Sequence, residues 1–396
     1  MNKPVAGVPL GGMPVEVFLR DYWQQQPCLV RQAFPDFAPA LDENDIAGLA
    51  CEELSEARLV TGNLANANWL VEHGPFEEQR LAGLPGQDWC LLVQDVEKHY
   101  PPLQALLAQF SFLPSWRLDD LMVSVSAPGG SVGPHVDQYD VFLLQASGQR
   151  RWQVASQYNP TCLAGCDLRV LKEFQPEQEW LLQPGDMLYL PPGIAHYGLA
   201  LDLGMTWSVG LRAPSQADLF QAFGDWLAEK ETEQQGDGRR YTDPNLEPSR
   251  LSGEISPSAL NQLADLFAVT RPSSATQSRK DPDLEGFLGS FMSRYRLAHQ
   301  PAAPEKSTDL DTLLQKAASG ACLQRNPWTR LNWVAHGGRA RLFASGDERL
   351  CSHELATNLC GTGISRLDLN ELETDDQQCV LDLLNLGHLF LQYPDD

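Results

Sequence analysis

The spacing of apolar positions changes period along this chain, and the changes divide it. Between Leu118 and Arg212 the apolar residues fall in short runs, each about one strand long: "LMVSVSA", "DVFLLQA", "RRWQVAS", "EWLLQ", "DMLYL", "AHYGLAL" and "MTWSVGLRA". The sequences between them, "PGG", "SGQ", "QPGD" and "PPG", are tight-turn sequences, several needing a positive φ that glycine supplies at little cost. Many short strands at close spacing predict an antiparallel sandwich or barrel of the jelly-roll or cupin class. An immunoglobulin-like sandwich is the runner-up.

On either side the texture is different. Near the start, "MPVEVFLRDYWQQQPCLVRQAF" predicts a helix from Val15 to Gln25, stopped by Pro27, and then an extended piece from Cys28 to Arg31. A second extended piece begins at Trp89. After Arg212 the period becomes helical: "SQADLFQAFGDWLAEK" places Leu219, Phe220, Phe223, Trp226 and Leu227 on one face. The polar stretch "ETEQQGDGRRYTDPNLEPSR" reads as a linker, "SPSALNQLADLFAV" and "DPDLEGFLGSFMSRY" as further helices, and "PAAPE" as a boundary. The last ninety or so residues combine a hairpin, "RARLFASGDERLCS" turning at "SGDE", with helical patterns at "SHELATNLC" and "TDDQQCVLDLLNLGHLF". Helices with one small hairpin suggest a winged-helix unit. Three units are therefore expected, 1–212, 213–300 and 301–396. The amphipathic helices of the middle one lie outside the barrel and need a partner surface, so a homodimer is expected too.

Charge narrows the class of partner. The chain carries 52 acidic and 29 basic residues, a formal net charge of −23. Bare nucleic acid would be repelled by such a surface and a basic protein attracted, although solubility alone also accounts for acidity. From Glu305 onward there are 14 acidic and 8 basic residues, so the winged-helix unit is expected to contact protein rather than DNA. Nine cysteines are scattered, and only Cys162 and Cys166 lie close, with no second pair to complete a four-sulfur zinc site. Pro and Gly interrupt the N-terminus before an apolar signal region could form, and no run reaches 18 apolar residues. A soluble, unexported, cytoplasmic protein is expected.

The candidate chemistry sits in the strand-rich block. In "GPHVDQYDVF", His135 and Asp137 are two apart, so on a strand they share a face. About half an H-x-D tripeptide is expected by chance in such a chain, and the motif alone decides little. "PPGIAHYGLAL" offers His196 just after a turn, at the start of another strand. Two imidazoles and one carboxylate on facing strands, with adjacent positions open, suit non-haem Fe(II). An oxygenase of that kind commonly draws two electrons from 2-oxoglutarate, whose distal carboxylate needs a buried cation. "SGQRRWQV" supplies Arg150 and Arg151, of which strand alternation turns one inward. Ser124 and Ser126 share a face and could add hydroxyl donors; Ser208 is similar.

The stretches "GGSVGPHVDQYDVFLLQASGQRRWQV", "QPGDMLYLPPGIAHYG" and "SVGLRAP" resemble the Jumonji-C oxygenases. More closely they resemble the ribosomal oxygenases, in the bacterial branch that hydroxylates an arginine of large-subunit ribosomal protein sixteen. The resemblance covers most of the chain and implies a double-stranded β-helix, a helical dimerisation segment and a C-terminal winged-helix-like domain. It makes His135, Asp137 and His196 the iron ligands, puts Arg150 on the distal carboxylate of 2-oxoglutarate, and sets Ser124 near cosubstrate and substrate. It further implies Fe(II), 2-oxoglutarate and dioxygen as cofactors, a basic ribosomal protein as partner and substrate, and 3-hydroxyarginine as product. Three other readings stay open at this point. They are histidine hydroxylation, a metal-binding cupin of another chemistry such as an isomerase or lyase, and an acidic ribosome-binding protein without turnover.

Overall fold

The computed structural model describes residues 7–65, 68–235, 257–267, 283–361, 364 and 367–393. Twelve strands build the first part: β1 (Cys28–Val30), β2 (Ala57–Thr61), β3 (Leu70–His73), β4 (Trp89–Val93), β5 (Leu118–Ser126), β6 (His135–Val136), β7 (Val141–Ser147), β8 (Arg150–Ala155), β9 (Gln178–Leu182), β10 (Met187–Leu190), β11 (Ala195–Ala200) and β12 (Gly204–Leu211). They form a sheet of order β1-β10-β7-β12-β5-β4-β2-β3 and a smaller one of order β6-β11-β8-β9, antiparallel throughout. From β5 onward the chain repeatedly crosses between the two sheets. That winding is the double-stranded β-helix of the cupin class, and it excludes the immunoglobulin-like alternative.

Alternation along the central strands decides what lies inside the barrel. On β12, Met205, Trp207, Val209 and Leu211 join the main apolar core, while Thr206, Ser208 and Gly210 line the internal cavity. On β5, Leu121, Val123 and Val125 face the core, and Met122 and Ser124 face the cavity. The N-terminal segment seals the apolar side. Phe18, in the helix Val15–Asp21, packs edge-on against Tyr189 at 5.0 Å, and Phe110 lies 5.0 Å from Phe142. Each such fully buried side chain contributes about 1.5–3 kcal/mol. The main core thus lies outside the barrel, and the interior keeps a cavity whose wall mixes polar groups with apolar ones such as Met122, Leu143 and Trp152.

The first helix stops at Asp21 rather than at Gln25. Tertiary contacts override the local pattern: Gln24 has φ +56°, its backbone N–H donates to Tyr189 Oη at 2.8 Å, and its amide donates to buried Asp140 at 2.9 Å.

Among the described residues three helices follow the barrel, Gln216–Gln235, Pro257–Phe267 and Leu284–Arg294. The first is longer than expected, taking in the opening "ETEQQ" of the supposed linker; 236–250 of that stretch fall outside the described residues. Phe223 and Trp226 pack on Phe287 at 5.0 and 5.7 Å, whereas Phe220 is 67% exposed.

The last unit contains strands β13 (Cys322–Arg325), β14 (Leu331–His336), β15 (Arg339–Ala344), β16 (Asp347–Cys351) and β17 (Leu389–Gln392). Helices Leu310–Ala318, His353–Cys360 and Thr374–Asn385 pack with them around Leu342, Leu355, Leu359 and Val380. It is a winged-helix domain whose hairpin, β15–β16, is extended by β14 into a three-stranded sheet. The expected final helix ends at Asn385, and "HLF" instead enters β17, paired with β13. All nine cysteines are free thiols. Among the described residues no helix is long and apolar enough to cross a membrane.

Candidate metal centre and cosubstrate pocket

Strand pairing brings the three candidate ligands together. β6 and β11 run antiparallel with His135 directly opposite His196, their ring centroids 4.2 Å apart. Asp137 follows β6, and its carbonyl accepts from the Gly193 N–H at 2.8 Å, which ties it to the turn that leads into β11. Asp137 Oδ2 lies 3.8 Å from His135 Nε2 and 3.6 Å from His196 Nε2. The donor atoms of all three fall within 4.8 Å of one another, the one such metal-competent cluster among the described residues.

The two imidazoles are oriented in the same way. Each Nδ1 faces the carbonyl two residues back, Gly133 O at 2.9 Å for His135 and Ile194 O at 3.0 Å for His196. With Nδ1–H donating to those carbonyls, both Nε2 lone pairs turn toward Asp137, as metal ligation requires. Gly133 has φ +79°, and a Cβ there would come within 2.9 Å of the Val170 methyls, so the loop that orients His135 needs glycine. Burial, and then the neighbouring His135, push His196 down to about 4, which keeps its ring neutral. Two imidazoles and a carboxylate on one side of an open space form the donor set of a non-haem Fe(II) site.

Arg150 opens β8 and is 4% exposed, whereas Arg151 points outward, 3.6 Å from Glu179. Arg150 Nη1 donates to Ser126 Oγ at 3.0 Å and Nη2 to Gly198 O at 3.2 Å, and the guanidinium lies over the Trp152 ring at 5.1 Å. Among the described residues its Nε has no hydrogen-bond partner and no carboxylate pairs with it. Burial lowers its pKa from the usual arginine value. A desolvated guanidinium held only by neutral groups calls for an anion, and the free face of its fork suits a carboxylate.

Arg150 and the triad line one cavity of about 480 Å³. Ser124 and Ser208 line it as well; Ser124 Oγ donates to Thr206 O at 3.3 Å. The serine that touches Arg150 is Ser126, offered by the sequence together with Ser124 on the same strand face; its hydroxyl accepts from Arg150 and donates to Cys90 Sγ at 3.1 Å. At the other end the cavity is acidic, with Glu56, Asp95, Asp119 and Asp120 on its wall. Asp120 keeps partial accessibility, as a cavity residue does, yet protein surrounds it closely. Burial, and then Asp119, Asp95 and Glu97, raise it to about 8, with Lys98 opposing. Among the described residues its carboxylate has no hydrogen bond or ion pair. The one sign of it in the sequence is strand parity, since Asp120, Met122 and Ser124 alternate with core residues.

Comparison with known proteins agrees with this geometry. A Jumonji-C domain profile matches residues 105–219, and a ROXA-like winged-helix profile matches 275–390. Over 352 residues, 88% of each chain, the sequence is 36% identical to the ribosomal protein uL16 3-hydroxylase of Escherichia coli strain K12. The chain belongs to the Jumonji-C ribosomal oxygenases. The crystal structure of Escherichia coli YcfD superposes with a TM-score of 0.78 at 31% identity, covering 96% of this chain and 99% of that one. A second YcfD structure, in complex with cobalt and 2-oxoglutarate, matches with a TM-score of 0.75 at 31% identity over 96% and 99%. For this ribosomal oxygenase the cupin barrel and the winged-helix domain are therefore family features.

Proposed function

We propose that this protein is an Fe(II)- and 2-oxoglutarate-dependent hydroxylase that acts on the β-carbon of an arginine in ribosomal protein uL16, giving 3-hydroxyarginine. The observation that carries the reading is Arg150: a buried cation without an anionic partner, in the same cavity as a two-histidine, one-carboxylate triad. Iron, 2-oxoglutarate and dioxygen together supply the oxidising chemistry, releasing succinate and carbon dioxide as the substrate carbon gains a hydroxyl.

The chain's own residues position and shelter. His135, Asp137 and His196 hold the metal. Arg150, steadied by Ser126 and Gly198, binds the distal carboxylate of 2-oxoglutarate, and Ser124 and Ser208 offer hydroxyls along the wall. Asp120 takes the substrate guanidinium, while Met122 and Tyr139 flank its methylenes. An uncommitted buried carboxylate favours a cationic side chain over a neutral histidine. An isomerase or lyase would not need Arg150, and a non-catalytic binder would need no cavity.

The test is anaerobic reconstitution with Fe(II) and 2-oxoglutarate, then air and an arginine-bearing uL16 fragment. Succinate release coupled to a gain of one oxygen on arginine, abolished in His135→Ala, is the expected result. Turnover unaffected by that substitution, or none with the wild type, would refute the assignment.

The remaining organisation is part of the same proposal: a catalytic unit 1–212, a helical dimerisation region 213–300 and a winged-helix domain 301–396, in a cytoplasmic enzyme that binds a basic ribosomal protein and no free nucleic acid. Dimerisation is supported by exposed Phe220, Leu260, Leu263 and Leu284 on the helices outside the barrel. Sedimentation should show a dimer at micromolar concentration and a monomer for Phe220→Glu.

A further inference from the structure

The winged-helix domain reaches the catalytic cavity. Tyr295 to Ala298 lead into it from the preceding helix, and Arg296, Leu297 and Ala298 line the cavity together with Arg330, the residue just before β14. Arg330 Nη2 donates to Asp119 Oδ1 at 2.5 Å, Nη1 donates to Tyr295 O, and its carbonyl accepts from the Ser345 N–H at 3.0 Å. The same Asp119 oxygen receives Arg212 Nε, from the end of the barrel, at 3.4 Å. Arg212 Nη1 is held in turn by Trp116 O at 2.9 Å. Arg330 and Arg212 are 7% and 6% exposed. One rim carboxylate is therefore clamped by two buried guanidinium groups from two different domains.

Docking the domains does not by itself require this clamp. Trp328, two residues earlier, already anchors the interface, with its ring 5.3 Å from that of His99, 4.6 Å from that of His299, and Lys98 Nζ 5.2 Å above it. A buried charge cluster is a costly way to join surfaces and is retained where it sets geometry or charge. What it sets here is the charge beside Asp120. Asp119 on the same strand and Asp95 and Glu97 on the neighbouring helix and its cap oppose negative charge on Asp120, and Lys98 favours it. Arg212 acts on Asp120 from just past the end of β12, and Tyr139 and Arg296 face the same part of the cavity. Two cations on Asp119 offset the nearest of the opposing charges.

We propose that Arg330 is a positioning residue for the substrate: from the winged-helix domain it fixes and neutralises Asp119, leaving Asp120 as the carboxylate that receives the incoming guanidinium. Hydroxylation in the barrel then depends on the docked C-terminal domain. The inference rests on the arginine-hydroxylase reading above.

The experiment uses the full-length enzyme, reconstituted with Fe(II) and 2-oxoglutarate, and a uL16-derived arginine peptide. Wild type, Arg330→Gln, Arg330→Gln with Asp119→Asn, and Trp328→Leu are compared for peptide KM and kcat, for the cosubstrate KM and for peptide-free succinate formation. For Arg330→Gln the peptide KM should rise at least about tenfold, with the cosubstrate KM and peptide-free turnover within about twofold. Its peptide pH profile should move to higher pH, because the uncompensated Asp119 makes Asp120 harder to ionise. Adding Asp119→Asn removes that charge and should restore the peptide KM. A purely structural joint predicts no such rescue, and predicts that Trp328→Leu reproduces the Arg330→Gln profile; either result overturns the proposal, as does an unchanged peptide KM. If Arg330→Gln does not fold, Arg330→Lys serves, with a smaller KM rise and the same rescue. Absence of wild-type turnover on any arginine peptide would instead refute the underlying assignment.

Discussion

Gly198 shows how finely the cosubstrate end is fitted. It sits on β11 opposite Trp152, and a Cβ there would lie 2.7 Å from both Arg150 Nε and the Trp152 ring. Gly198→Ala should therefore raise the cosubstrate KM about tenfold or more, while Fe(II) binding at the triad, followed spectroscopically, stays within about twofold. Asp120 gives a pH prediction with a definite sign. Its folded value of about 8 lies above the unfolded value of 3.8, so the stability it contributes is complete below about pH 4 and is lost as pH rises toward 8. Asp120→Asn should accordingly unfold at a higher temperature than wild type near pH 8, yet lose about a hundredfold in kcat/KM for arginine peptides. At this scale the sequence was legible where chemistry is local. His135 and Asp137 share a face by strand parity, and His196 follows a turn. Gly198 meets Arg150 through the pairing of β11 with β8, and Ser126 reaches it from β5 in the other sheet, contacts that no local spacing records.

Elements outside the barrel depend on their partners. In the helix Leu284–Arg294, Gly289 lies directly on the Phe343 ring of β15, so a methyl at that position would displace the ring. Gly289→Ala should cost about 1–3 kcal/mol of the winged-helix domain's stability despite its better helix propensity, measured by urea denaturation. The same dependence explains which elements the sequence failed to show. Leu331 to His336 alternate weakly and become a strand because β15 offers an edge. The apolar "HLF" continues a helical pattern and becomes β17 because Cys322–Arg325 is waiting for it. Short apolar runs fit helix and strand alike, and tertiary pairing chooses between them.

The whole molecule carries a formal charge of −23, and its substrate is proposed to be a basic protein. Long-range attraction then contributes to encounter, so kcat/KM for a uL16 fragment should fall roughly tenfold between 50 and 300 mM salt. The turnover of 2-oxoglutarate without peptide should change far less, and equal salt sensitivity of the two would discount steering. Arg150 has one more consequence at this scale. A guanidinium enclosed among neutral groups is an unmet demand built into the native state, and the unfolded chain, with its arginine in water, has no such demand. A dicarboxylate that meets it is therefore also a folding ligand, adding about 2.7 kcal/mol at a hundred times its Kd. Melting temperature should climb with 2-oxoglutarate, and with succinate, in wild type but not in Arg150→Ala. A cell's reserve of this metabolite would then set how long the enzyme survives as well as how fast it works.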